Sequence, residues 1–397
     1  MLSLSMIVRD EAERLAVCLD SVAGFVQEMV VVDTGSSDDT AAIARQQGAT
    51  VHELAWPGDF APARNAAMEL VHGDWVLVLD ADEQLLPEAR PALKALMAQP
   101  DVLLINLLRY ERGARQSPYS NVSRLFRRHP GIRWSRAYHA MVDDSVAAVL
   151  AAEPHWRIAD CSQPCLVHDG YRPDLLLAGR KAERLRQAME QELIATPNDP
   201  YASAKLGGLE ISEGNRERGL ALLEAALAHC PATARVERYE LLLHLGIGHA
   251  SATPARAELL YQEALGLGLN PRLSLAARLN LSALLLQRGA LEEASRLCEA
   301  AVRLSPEVAL GWYNIGMIRR RQGDIAGALE AYATARQLAP DHAETHQNLA
   351  AAQLLGGNIE AARGSFRTAI ALLRQQGRAN EADRLRQQAG AIVKLGA

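Results

Sequence analysis

The sequence predicts a chain in two parts: an α/β domain on a mostly parallel sheet, then an all-α superhelix of short repeats. Three observations carry that expectation. Over residues 1–110 short apolar runs alternate with amphipathic helical stretches, the pattern of a parallel sheet covered by helices on both faces. After Tyr171 the strand-like runs stop and glycines recur at a fixed step. Within the first part, Trp75-Val-Leu-Val-Leu-Asp80-Ala81-Asp82 is a continuous apolar run, as a central parallel strand shows, and it ends in two aspartates.

The first part begins with a strand over Leu2–Val8 and a helix over Glu11–Ala23. Met29–Asp33 reads as a strand, and Asp38–Gly48 as a helix closed by glycine. Thr50–Leu54 is a strand, Ala61–His72 a helix, Trp75–Asp80 a strand, and Pro87–Met97 a helix opened by proline. Val102–Leu108 closes the series as a strand. From about residue 110 to 170 the pattern is shorter and more aromatic, with strands expected over Arg124–Arg128 and Ile132–Trp134. That segment would complete the sheet and shape the site from the opposite side. Leu175–Ala195 reads as one long helix, stopped by Thr196-Pro-Asn-Asp-Pro200.

The remainder of the chain is periodic. Gly289, Gly323 and Gly357 stand 34 residues apart (323 − 289 and 357 − 323), as do Pro306 and Pro340. Ala294, Ala328 and Ala362 lie five residues beyond each glycine, and Ala301, Ala335 and Ala369 seven further. Leu206, Gly207, Gly214 and Pro231 set an earlier copy, and Leu245, Gly246, Ala257, Tyr261 and Ala264 a degenerate one. A helix–turn–helix period of this length, with small residues where helices cross, is the tetratricopeptide signature. About five such units stack into a superhelix with a concave groove, since none buries its apolar face alone. The expected division is residues 1–172 for the α/β domain, 173–198 for a connecting helix, 199–378 for the repeats and 379–397 for a charged capping helix.

Composition excludes several classes. Hydrophobic residues make up 49% and charged residues 22%, ordinary for a globular protein. With 42 basic and 47 acidic side chains the net charge is −5, so no nucleic-acid partner is expected. No apolar run approaches the roughly 18 residues that cross a bilayer. Met1–Val8 lacks a basic leader region and reads as a strand, so a cytoplasmic location is expected. Cys18, Cys161, Cys165, Cys230 and Cys298 are scattered and read as buried free thiols. Cys161 and Cys165, with His155 and His168 close by, suggest zinc, but the second ligand pair of a usual zinc site is missing.

Four stretches would meet at the carboxyl edge of a parallel sheet, where open α/β folds bind ligands. They are Ile7-Val8-Arg9-Asp10-Glu11, Val31 to Thr40, Asp59 to Asn65, and Asp80-Ala81-Asp82. Two carboxylates at such an edge are costly unless a positive group pairs with them, and a divalent cation carrying a phosphate is a fitting partner. Asp33, at a strand end, is placed to accept hydrogen bonds from a nucleotide's base or ribose, with Gly35 and Ser36 making the turn. Ser37 or Asp38 would cap the following helix. Arg64 opens a helix and could grip a phosphate or form an ion pair with Asp59 or Glu69. Glu11 braces the first loop or sits in the first turn of a helix, where the dipole favours it.

These four motifs, in this order and with Gly73-Asp-Trp ahead of the last, resemble family 2 glycosyltransferases of the GT-A fold, a Rossmann-like α/β domain. The chain is similar in particular to the bacterial subgroup fused to tetratricopeptide repeats, which includes peptide S-glycosyltransferases. The resemblance covers nearly the whole chain. It implies a nucleotide-diphospho-sugar donor, a UDP-sugar foremost, with Mg²⁺ or Mn²⁺ as cofactor and inversion at the anomeric carbon. Val8, Arg9, Glu11, Asp33, Gly35, Arg64, Asp80, Ala81 and Asp82 match the donor-binding motifs. Asp33 matches the family's uridine-binding aspartate, and Asp80 and Asp82 match its D-x-D pair, which implies the first toward ribose or sugar and the second toward the metal. His168, in Val-His-Asp-Gly-Tyr, matches a motif that completes metal or diphosphate binding, or docks the first repeat helix. Where the subgroup has His-Glu, this chain has His139-Ala140, so the base that takes the acceptor's proton is His139, Asp143 or Asp144, or a thiolate acceptor needs little help. The acceptor implied is a peptide or protein held in the repeat groove. An envelope glycan or lipid-linked sugar is the rival acceptor, and a non-catalytic scaffold is the rival class. Repeat arrays often self-associate, which allows a homodimer.

Overall fold

The strands assemble into one eight-stranded sheet because alternate residues on its first strands bury toward opposite faces. In the computed structural model, which describes residues 1–114, 117–136, 140–170 and 181–393, they are β1 (Leu2–Val8), β2 (Glu28–Asp33), β3 (Thr50–Glu53), β4 (Trp75–Val78), β5 (Glu83–Leu85), β6 (Val102–Glu111), β7 (Tyr119–Arg127) and β8 (Arg157–His168). The order across the sheet is β3-β2-β1-β4-β7-β6-β8-β5. β4 pairs antiparallel with β7, and β7 antiparallel with β6, so β6 again runs with β4. Of these strands only β7 and β5 oppose the common direction. The sheet is therefore mixed but mostly parallel.

Leu4, Met6 and Leu77 bury on one face against Leu15, Cys18, Leu19 and Val22 of helix α1 (Leu15–Val22) and Leu93 of α4 (Arg90–Met97). Val30, Val32, Val76 and Val78 bury on the other against α3 (Phe60–Met68) and α5 (Asp143–Ala152). Both faces being dry explains why these strands read as continuous apolar runs. The short helix α2 (Thr40–Gln46) comes after the β2 loop.

Three expectations are corrected. The first helix begins at Leu15, not Glu11. The Glu11 N–H donates to Thr40 Oγ1 at 2.7 Å and the Ala12 N–H to Asp38, so this stretch is laced to the neighbouring loop. Ile132–Trp134 is not a strand. The backbone N–H and C=O of Trp134 are taken by the side-chain amide of Asn65, at 2.9 and 3.0 Å, which leaves no ladder to join. Proline opens a 3-10 turn over Pro87–Ala89, and α4 begins after it.

The chain divides into two compact units, Met1–Leu209 and Glu210–Ala397. The first also contains α6 (Lys181–Ala195) and most of α7 (Pro200–Ser212). Residues 171–180, which include the start of the connecting helix expected over 173–198, lie outside the described residues. In the second unit the helices are α8 (Arg216–His229), α9 (Arg235–His249), α10 (Pro254–Gly266), α11 (Leu275–Arg288), α12 (Leu291–Leu304), α13 (Ala309–Gln322), α14 (Ile325–Leu338), α15 (Ala343–Leu355), α16 (Ile359–Gln375) and α17 (Ala379–Gly390). Gly289, Gly323 and Gly357 each take a left-handed φ between +80° and +87° at the turn inside a helix pair, which a side chain would strain. The 34-residue step is thus a step from turn to turn.

Candidate active site

Backbone ties first bring the loops together. The Thr34 N–H and hydroxyl both reach the carbonyl of Val8, at 2.9 and 3.0 Å, and so join the ends of β1 and β2. Asp10, at φ +53°, accepts from the Ser37 N–H. Asp33 is buried, and its Oδ1 accepts from the N–H groups of Gly35 and Ser36 at 2.9 and 2.7 Å. Gly35, at φ +103°, makes that turn possible. Asp33 therefore folds its own loop with one oxygen. Val8 is buried in the core, and Arg9 is exposed, 3.9 Å from Asp10.

Asp80 leaves β4 at the carboxyl edge and meets two arginines. Its Oδ1 accepts from Arg64 of α3 at 2.6 Å, and its Oδ2 from Arg124 of β7 at 2.8 Å. Burial opposes ionisation of this carboxyl, but Arg124 and Arg64 outweigh it and hold its pKa well below the usual range. Arg64 is buried under the ring of Trp134, 4.8 Å from its centroid. Its Nε and Nη1 have no hydrogen-bond partner among the described residues, and neither has Nη1 of Arg124. Nη1 of Arg124 lies 4.0 Å from the Glu83 carboxylate, so it is the unmet donors of Arg64 that favour a further anion beside them. Asp59 does not pair with Arg64; it caps α3 through the Ala61 N–H.

A β-bulge sets the direction of Arg124. Ile105 faces Leu125 and Leu107 faces Val122, so Ser123 and Arg124 together oppose Asn106. The extra residue turns both side chains toward the face that α3 and α5 cover. Ser123 donates to Asp143 at the start of α5, at 2.8 Å. Although Asp143 as a residue is exposed, crowding of its carboxyl raises its pKa against the Ser123 bond, and Asp144 adds to the rise. Asp144 is engaged otherwise: Arg136 and Ser135 bind it and lower its pKa. His139 lies outside the described residues.

Asp82 and His168 face each other, with Oδ2 and Nε2 3.3 Å apart. The other ring nitrogen, Nδ1, is 2.5 Å from Glu111 at the end of β6. Burial disfavours the protonated ring, but Asp82 and Glu111 outweigh it and raise the His168 pKa to about 9. Glu11 sits behind, paired with Arg14 at 2.5 Å, and Arg14 is 3.8 Å from Asp82. Burial raises the Glu11 pKa despite Arg14. Glu11, Asp80, Asp82, Glu83 and Glu111 are thus met by Arg14, Arg64, Arg109 and Arg124, with His168 as a further cation when protonated.

Among the described residues no group of three or more His, Cys, Asp or Glu side chains is set to hold a metal. Asp82 and His168 supply two donors, and an ion held there would take its other ligands from phosphate and water, the usual way Mg²⁺ is bound. The donor set fits a cation that arrives with a diphosphate. All five cysteines are buried and free, including the strand residues Cys161 and Cys165. Arg124, Glu83, Arg109 and Glu111 are the site residues that motif reading missed; Arg124 lay in view in Arg-Leu-Phe-Arg.

An acidic turn balanced by arginines at the carboxyl edge of a mixed sheet is the arrangement of an α/β enzyme that handles an anionic substrate. Known proteins narrow the class. Residues 3–157 match the model of "Glycosyl transferase family 2", and residues 307–375 that of "Tetratricopeptide repeat". A TPR repeat-containing protein of Synechococcus elongatus is 42% identical over 388 residues, covering 96% of this chain and 95% of that one. An uncharacterized glycosyltransferase of Rickettsia felis is 39% identical over 97 residues, 24% of this chain and 34% of its own length. The glycosyltransferase SunS of Bacillus phage SPbeta is 24% identical over 203 residues, 50% of this chain and 46% of its own. The chain belongs to the family 2 glycosyltransferases joined to tetratricopeptide repeats. It is a glycosyltransferase, and the family implies a nucleotide-sugar donor. Among the described residues no helix is long and apolar enough to cross a membrane.

Proposed function

We propose that this enzyme moves a sugar, with inversion at the anomeric carbon, from a UDP-sugar to a peptide or protein that the repeats present. The observation that carries the reading is the Asp80–Asp82 turn, with Arg64 and Arg124 on one aspartate and His168 on the other. Asp33 would contact the uridine through Oδ2, since Oδ1 is used in its own turn. Gly35 leaves room for the nucleotide, and Glu11 with Arg14 backs Asp82. Arg64 would turn its unmet N–H groups to the diphosphate, with Arg124 adding positive charge and Asp80 as the counter-charge that keeps both in place. Asp82 and His168 would hold Mg²⁺ or Mn²⁺, which neutralises the departing diphosphate when bound.

Transfer with inversion needs a base across the sugar from the leaving group. As the acceptor oxygen or sulfur bonds to the anomeric carbon, the carbon–oxygen bond to phosphate breaks and its electron pair leaves with the diphosphate. Asp143 is the described residue best placed to take the acceptor's proton, because Ser123, the neighbour of Arg124 in the bulge, holds it beside the site while Asp144 is tied to Arg136. A thiolate acceptor would ask less of it. The repeats suit a protein acceptor, since tethering raises the effective concentration of acceptor at the site.

The test is to supply the purified full chain with Mn²⁺, an α-linked UDP-sugar and peptides bearing Ser, Thr or Cys, and to read the product anomer by proton NMR. A β-linked glycopeptide is expected. An α-linked product, or transfer to glycans and not to peptides, contradicts the reading.

A further inference from the structure

Behind the Asp80–Asp82 turn runs a closed circuit of partly buried polar contacts that substrate contact does not explain. The Asp80 N–H donates to Oε2 of Glu83 at 2.9 Å. Oε1 of Glu83, a side chain with no solvent exposure, accepts from Nη1 of Arg109 at 2.5 Å. Nε and Nη2 of Arg109 each lie 2.8 Å from Oε1 of Glu111. Oε2 of Glu111 meets His168 Nδ1, and His168 Nε2 returns to Asp82. Ser120 of β7 adds a hydrogen bond to Glu111. Two buried carboxylates so close would repel, and Arg109 between them turns repulsion into a brace.

We propose that Glu83, Arg109 and Glu111 form a positioning frame, in which Glu111 sets the His168 ring so that Nε2 and Asp82 face one metal–diphosphate group. This rests on the donor-site reading proposed for Asp82 and His168. A histidine that holds a metal through one nitrogen is oriented by the partner of the other, and loss of such a partner typically weakens metal affinity about 10–100-fold. The frame acts on β5, β6 and β8, which lie on the far side of β4 from Asp33 on β2. Its loss therefore weakens the metal-dependent part of nucleotide binding and spares the part made through Asp33.

The experiment titrates UDP into the full chain by calorimetry, with and without Mn²⁺, for wild type, Glu111→Gln and Ser120→Ala. Wild type binds UDP more tightly with Mn²⁺. Glu111→Gln loses about tenfold or more of that gain, while its affinity for UDP alone stays within about twofold. Ser120→Ala, which removes the hydroxyl's bonds to Glu111 and to Arg109 Nε and leaves every charge, loses about two- to tenfold of the gain, the scale of one hydrogen bond, and covers the case of a Glu111→Gln chain that does not fold. If wild type shows no Mn²⁺-dependent gain, the donor-site reading itself fails. If wild type gains and both variants gain equally, or if UDP binding weakens to the same degree with and without Mn²⁺, the frame is wrong and the donor site stands.

Discussion

Asp80 has both carboxylate oxygens committed to arginines, so its substitution acts through them. Asp80→Asn leaves Arg64 and Arg124 without their counter-charge in a partly dry site. Removing one partner of a buried ion pair costs about 3–5 kcal/mol; Asp80 is 35% exposed, so up to about 3 kcal/mol is expected here. Urea unfolding monitored by tryptophan fluorescence would measure it, and a change under about 0.5 kcal/mol, the usual scale for surface substitutions, would show that the clamp is not structural. Asp143→Asn makes a different prediction. Loss of a base lowers the rate of transfer by about 10²–10⁴-fold, with donor affinity unchanged; an equal fall in donor affinity would remove Asp143 from the base role.

The Glu111–His168 pair sets a pH dependence whose sign is fixed by the two shifts. Burial disfavours the charged His168 ring, but its bonds to Asp82 and Glu111 raise the pKa from 6.5 to about 9. Their stabilisation is complete below 6.5 and disappears as pH rises through 9. For Glu111, burial works against ionisation, but His168 and Arg109 lower its pKa from 4.5 to about 2. That contribution is present above 4.5 and is lost as pH falls toward 2. The metal-free protein is expected to show its highest urea midpoint between pH 4.5 and 6.5 as far as this pair is concerned, and Glu111→Gln to flatten both shoulders. Shoulders unchanged in the variant would assign them to other groups.

At the scale of elements, the strands of the first half and the repeat turns were legible because each is a local signal. Val31-Val-Asp33 and Val76-Leu-Val-Leu79 are runs set by burial on two faces, and Gly289, Gly323 and Gly357 repeat one turn geometry. Non-local pairing was not legible. β7 inserts between β4 and β6, and only that insertion carries Arg124 to Asp80 and Arg109 to Glu83. No spacing in the sequence encodes the order β4-β7-β6-β8, nor the bulge that aims Arg124. The Ile132–Trp134 stretch misled for a related reason, since the backbone of Trp134 bonds the Asn65 side chain 69 residues away and that of Arg133 the Ser145 hydroxyl. Helix packing gives a paired test. A Cβ at Gly316 of α13 would meet the Tyr332 ring of α14 at 2.5 Å, whereas one at Gly364 of α16 would meet nothing within 4 Å. Gly316→Ala should cost about 1–3 kcal/mol by overpacking, and Gly364→Ala should add up to about 1 kcal/mol through helix propensity. Thermal unfolding measured by circular dichroism compares them; equal effects would refute the tight crossing.

For the whole molecule, the proposed function assigns donor chemistry and acceptor delivery to different stretches of the chain. The first compact unit runs to Leu209 and holds every described donor-site residue. Within it Arg136 pairs with Asp199, which caps α7 by accepting from the Ala202 N–H. A chain ending at residue 214 should hydrolyse donor at a rate near the full chain's and fail to glycosylate a peptide acceptor. Unchanged transfer by the shortened chain would remove the repeats from acceptor delivery.

On the proposed function, the Asp80–Asp82 turn activates a nucleotide sugar with a metal. The direct measurement of that activation is UDP release from a panel of UDP-sugars by the full chain with Mn²⁺, compared with Asp82→Ala and with chelator. Release from at least one donor is predicted, reduced by about a hundredfold or more in Asp82→Ala and by chelation, the scale of losing a transition-state contact worth about 2.7 kcal/mol. Release that is indifferent to both, or no release from any UDP-sugar, would contradict it.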